Sequence, residues 1–189
     1  MAEVKPVSFT SIIKVSSTPL NGFINGSQHC GTGRIIPGKN LYAMGISSCI
    51  AGCATNVEDA FMFHYTRLNE TFIDAIHRRI AALVTPEGEK PHILITGGYL
   101  NFPFKSEEYY KALLERLAEF RGSISTLWGH VAEGATDLHY SLEQDTFTLH
   151  HSKLSVIPEA KPINDLSAIY RDIKIASGDE LWLEGVRVK

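Results

Sequence analysis

Ala60-Phe61-Met62-Phe63-His64-Tyr65-Thr66-Arg67-Leu68-Asn69-Glu70-Thr71-Phe72-Ile73-Asp74-Ala75-Ile76-His77-Arg78-Arg79-Ile80-Ala81-Ala82-Leu83 changes period midway. Its first six residues are a short run of aromatic and apolar side chains with one histidine, the composition of a buried strand. From Asn69 onward Phe72, Ile73, Ile76, Ile80 and Leu83 recur at three- and four-residue spacing, which predicts an amphipathic helix capped by Asn69 and ended by Pro86-Glu87-Gly88. A strand feeding a helix through three residues implies that α and β elements share one core.

Working outward, residues 41–47 read as a strand, and Ser47 to Cys53 as a short helix or the approach to another strand. Asn56-Val57-Glu58-Asp59 reads as the turn into the strand that carries His64. On the other side, His92-Ile93-Leu94-Ile95-Thr96 is a short β-rich run ending in Gly97-Gly98. Ser106 with Glu107 and Glu108 predicts the start of a second helix, with Tyr110, Leu113, Leu114 and Leu117 as its apolar stripe. Residues 7–15 suggest an N-terminal strand, 16–40 are turn-rich, 123–157 hold three or four short strands, and a short helix near 165–172 and a strand at 180–188 complete the chain. The expected fold class is α+β: a mixed β-sandwich-like core with two main helices.

Composition bounds the function. The chain has 189 residues, of which 44% are hydrophobic and 21% charged, enough to bury a sizeable core in a single domain spanning 1–189. A formal net charge of -3 with scattered Lys and Arg argues against nucleic acid as a partner. No apolar run approaches the roughly 18 residues of a membrane-spanning helix, and the N-terminus lacks the basic and apolar regions of a signal peptide. Three cysteines do not make a disulfide framework and fit synthesis in the reducing cytoplasm, although a signal-less secretion route leaves no mark on that test.

The chemistry-bearing pair is Cys49 and His64. Cys49 closes the small-residue stretch Gly45-Ile46-Ser47-Ser48-Cys49 after an apolar run, and His64 lies inside the predicted strand. A free thiol is only slightly ionised near neutrality, so cysteine enzymes place an imidazole beside it to take the proton. Ser47 and Ser48 leave the approach to the sulfur open. Backbone N–H groups after the thiol, at Ile50 and Ala51, are candidate donors to an oxyanion. Buried free cysteines are also common core residues, so the pair alone does not establish catalysis.

The order of these elements resembles the chemotaxis receptor deamidase CheD. The stretches that carry the resemblance are Gly45-Ile46-Ser47-Ser48-Cys49, Phe61-Met62-Phe63-His64 and Ile93-Leu94-Ile95-Thr96-Gly97-Gly98. The catalytic domain of cytotoxic necrotizing factor is similar, with a Ser-Gly-Cys turn and the same kind of Cys-to-His interval. The resemblance covers about residues 30–157, leaving 1–29 as an N-terminal strand and loops and 158–189 as a C-terminal helix and strand. Ser47 stands where CheD carries a glycine, and His64 is followed by Tyr65-Thr66-Arg67 instead of an apolar-Pro ending. These differences fit a divergent deamidase, such as a bacterial toxin or effector injected into host cells.

The resemblance implies that Cys49 attacks the carboxamide of a glutamine in a protein substrate and that His64 protonates the departing ammonia. It implies no cofactor and no metal. The group that orients the imidazole is open: in the toxin branch it is a backbone carbonyl, and side-chain candidates are Asn25, Ser27 and His29. Ser48 and Ile50 are the turn and oxyanion positions, and Asp137 and His139 would line the cleft if the loop 129–134 folds back. Transglutamination, peptide cleavage and a binding domain without turnover are the alternatives. A zinc site of Cys30, Cys49, Cys53 and His64 is a further one, although Cys-x3-Cys is not the usual spacing.

Overall fold

Two β-sheets face one another, and two helices cover the outer face of one of them. The computed structural model describes residues 10–18, 20, 26–97, 106–129, 134–153 and 164–189. In chain order the strands are β1 (Ile12–Ser16), β2 (Gln28–His29), β3 (Arg34–Pro37), β4 (Asn40–Ile46), β5 (Ile50–Thr55) and β6 (Ala60–Tyr65). Helix α1 (Glu70–Ala82), β7 (His92–Gly97) and helix α2 (Ser106–Arg116) follow. The remaining strands are β8 (Ile124–Gly129), β9 (Gly134–Ser141), β10 (Thr146–Lys153), β11 (Tyr170–Lys174), β12 (Glu180–Leu183) and β13 (Val186–Arg187).

The first sheet has the order β13-β12-β1-β10-β9-β4-β2, the second β11-β8-β7-β5-β6-β3. Strict alternation along β5 and β6 explains the layering. Ala51, Cys53, Ala60 and Met62 join a cluster with Ile13, Leu41, Leu138, Tyr140 and Phe147 of the first sheet. Ile50, Ala54, Phe61, Phe63 and Tyr65 point the other way, into a cluster with Ile73, Ile76, Ile80, Tyr110 and Leu113 of the helices. Every residue of both strands is buried, which is why their sequences are mostly apolar and lack polar alternation.

The architecture is therefore mixed α+β with two sheets and few helices, as the sequence reading expects. Asn69 caps α1, its Oδ1 accepting from the Phe72 amide at 2.9 Å. Three elements differ from expectation. The stretch 16–40, read as loop, contributes the two edge strands β2 and β3. The helix expected near 165–172 is a single 3-10 turn, Leu166–Ala168, followed by β11. Tyr170 is buried where β11 pairs with β8, and that pairing decides the state of the segment. The single strand expected at 180–188 is a hairpin of β12 and β13, turned by Glu184 and Gly185, both at positive φ.

Candidate active site

Cys49 and His64 are brought to one end of the β5–β6 hairpin. The turn Asn56–Asp59 fixes the register: the Asn56 side chain accepts from the amides of Glu58 and Asp59, and Ala51 then opposes His64 and Ile50 opposes Tyr65. One step further, Cys49 meets Thr66, with Sγ and Oγ1 3.4 Å apart. His64 shares the face of Ala51, and Cys49 packs in the same cluster as Ala51, so thiol and imidazole occupy the space between the sheets as diagonal neighbours. In an antiparallel pair such residues have Cα atoms about 7–8 Å apart.

The imidazole is anchored by the backbone. His64 Nδ1 lies 3.3 Å from the carbonyl oxygen of Cys30, so in the neutral ring the proton belongs on Nδ1 and the lone pair on Nε2. Nε2 is buried and has no partner among the described residues. Burial is the largest influence on this imidazole and holds it below the ordinary 6.5; the Cys30 carbonyl opposes that shift and nearby His29 adds to it. The ring is thus a neutral base at physiological pH.

Cys30 reaches its place by ties to both sheets. Its amide donates to Tyr42 O of β4 at 2.7 Å, and its thiol donates to Met62 O of β6 at 3.4 Å. Burial pushes the Cys30 thiol up to about 11 and pushes the Cys53 thiol up as well. Both are inert as nucleophiles at neutral pH.

The turn that presents Cys49 is held at three points. Ser106 Oγ donates to Ser48 O at 2.6 Å. Ser106, expected as a cap acceptor for α2, lies within the helix and its hydroxyl fixes the turn instead. Gly97 has φ of +109°, and a Cβ there would lie 2.4 Å from Cys49 O. Before the turn, β4 bulges between Ala43 and Ile46, and the Gly45 amide donates to Asp137 Oδ1 at 2.7 Å. Bulges of this kind re-aim the residues that follow. Asp137 Oδ2 in turn lies 3.4 Å from His150 Nδ1.

The other sequence candidates are placed differently. Ser27 Oγ lies 3.3 Å from His139 Nε2, and His29 is exposed and stacks on Tyr42 at 4.8 Å. Asn25 lies outside the described residues. Ile50 and Ala51 register against Tyr65 and His64 on one side and against Gly97 and Thr96 on the other. Their amides face neighbouring strands, and the backbone left outside strand pairing is the bend Ser47–Cys49. Cys53 lies four residues along the strand from Cys49, about 13 Å away, too far for one metal ion. Among the described residues no group of three or more His, Cys, Asp or Glu is arranged to hold one.

Thr66 and the Cys30 carbonyl escaped the sequence reading. Thr66 was within reach of it, because counting outward from the Asn56–Asp59 turn pairs it with Cys49. A backbone acceptor leaves no side-chain signature. No family model matches this chain, and a search of curated proteins finds no relative.

Proposed function

We propose that the chain is a cysteine-dependent protein-glutamine deamidase of the CheD and cytotoxic necrotizing factor kind, acting on a protein substrate as a toxin or effector. The observation that supports this reading best is the tautomer set by the Cys30 carbonyl, which leaves a free base at His64 Nε2 on the face that Cys49 shares. An orienting carbonyl in place of an acid is one form of the nucleophile–base–orienter arrangement.

In the resting structure Cys49 Sγ lies 3.4 Å from Thr66 Oγ1, and catalysis begins as the His64 ring closes on the sulfur without breaking that contact. Nε2 takes the thiol proton as Sγ attacks the carboxamide carbon of the glutamine. The bend Ser47–Cys49, through Ser48, faces the developing oxyanion. The proton then passes from His64 to the amide nitrogen, ammonia leaves, and a thioester remains. Water gives a proton to His64 and attacks the thioester; the tetrahedral adduct expels the thiolate, which regains a proton, and glutamate is formed.

The test is peptide mass spectrometry of candidate proteins or a lysate treated with wild type and with Cys49→Ser. A gain of about one mass unit at a glutamine, made by wild type only, is the expected result of amide-to-acid exchange by thiol acyl transfer. Incorporation of an added primary amine instead would mark a transglutaminase, and chain cleavage a peptidase. A second reading, a binding domain without turnover, draws on the near-complete burial of Cys49 and the absence of a bond between it and His64. It expects Cys49→Ser to keep full partner affinity and neither protein to change any glutamine.

A further inference from the structure

We propose that Thr66 is a catalytic residue of this site, its hydroxyl donating a hydrogen bond to the Cys49 thiolate once His64 has taken the proton. The assignment rests on reading Cys49 as the nucleophile, but not on glutamine as its substrate.

Three observations carry it. Thr66 Oγ1 is 3.4 Å from Cys49 Sγ. The strand amides that follow Cys49, those of Ile50 and Ala51, face β6 and β7. His64 Nε2, on a ring only 2% exposed, waits without a partner among the described residues and is the acceptor toward which the proton moves. When the proton has gone, the sulfur carries a negative charge in a site with little water. An anion there requires a donor, and the Thr66 hydroxyl is already in place, held by the hairpin register that also sets His64. Thr66, just past the strand end, is partly exposed, whereas His64 is buried.

The roles divide cleanly. His64 removes the proton and returns it to the leaving group. Thr66 exchanges no proton and lowers the cost of the anion that forms between those events. A hydroxyl is required at position 66, and the methyl group is not.

The experiment is the pH dependence of alkylation of Cys49 by iodoacetamide, followed on the Cys49 peptide, in wild type, Thr66→Val and Thr66→Ser. Val preserves the shape of Thr without the hydroxyl; Ser preserves the hydroxyl. The midpoint should rise by about one pH unit in the Val variant, with alkylation near neutrality slowed about tenfold, and Ser should return both toward wild type. An unchanged midpoint in the Val variant overturns the assignment. So does faster alkylation, which would show that Thr66 withholds the thiol, and so does a wild-type Cys49 that resists alkylation throughout, since the thiolate that Thr66 serves would not form. If the midpoints shift as expected but no glutamine changes mass, deamidation fails and the role of Thr66 stands.

Discussion

His64 is buried between two sheets and kept neutral, so its protonation is coupled to unfolding. Its folded value lies below the ordinary 6.5. The unfolded chain therefore binds the proton first as pH falls, and the stability due to the neutral ring is complete above about pH 6.5 and is lost as pH drops toward the folded value. His139, also lowered by burial, acts in the same direction. His64→Gln can still donate to the Cys30 carbonyl but does not titrate. The loss of stability between about pH 7.5 and pH 5 should then be smaller in this variant than in wild type; equal losses in urea denaturation would show that His64 is not the group responsible.

At the scale of elements, the turn before β5 depends on two glycines that differ in their surroundings. Gly45 has φ of +66° with open space around its Cβ position, whereas Gly97 combines φ of +109° with a Cβ position 2.4 Å from Cys49 O. Gly45→Ala should cost about 1 kcal/mol, the penalty of the left-handed conformation. Gly97→Ala should cost more, about 2–3 kcal/mol, because backbone must also move. It should displace the Cys49 turn and change the alkylation rate of the thiol, which Gly45→Ala leaves nearer to wild type. Urea midpoints together with that rate check both expectations, and equal costs would show that the close approach to Cys49 is not decisive.

Elements were legible in the sequence wherever one period persisted. The 3.6-residue recurrence of Ile73, Ile76 and Ile80 and the apolar runs of β6 and β7 could be read because both faces of those strands are buried, whereas β5 stayed open between a short helix and a strand because Ala51, Gly52 and Ala54 carry little β signal. The edge strands β2 and β3 could not, since strands of two and four residues among Gly, Asn and Pro have the composition of loop and owe their state to pairing with β4 and β6. β11 was mistaken for helix because four of its five residues are exposed and show no alternation. At the site, Cys49 and His64 were visible as residue types. The anchoring carbonyl of Cys30 was not, because its function is independent of its side chain.

Across the whole molecule, the two sheets are joined by polar ties as well as by the apolar cluster. Tyr140 of β9 donates through its hydroxyl to Thr55 Oγ1 of β5 at 2.8 Å, and the same hydroxyl lies 3.1 Å from Asp145 Oδ1. Asp145 is further bonded by Ser11 Oγ at 3.1 Å, which draws the start of β1 into the network. Burial pushes the Tyr140 hydroxyl up and raises Asp145 as well, so the phenol is a permanent donor there. Tyr140→Phe should cost about 1–3 kcal/mol by removing the buried donor that links Thr55 and Asp145. Because the tie is at the end of β5 opposite Cys49, the variant should keep the alkylation rate of the thiol. Loss of stability without loss of reactivity is the expected result, and unchanged stability would remove the tie from the account.

The place of β1 has a consequence for how the chain comes to be folded. It lies parallel to β10 on one side, Ile12 against Thr146, and parallel to β12 on the other, Ile12 against Glu180. β1 thus has both of its neighbours more than a hundred residues further along the chain. Such long closures slow folding and leave unpaired edges while they are pending. During synthesis, residues 12–16 emerge from the ribosome long before β10 and β12, their partners among the described residues, and the first sheet cannot close until residues 180–183 have also emerged. For that interval the first sheet is unfinished, and the thiol turn is not yet backed by a complete second layer.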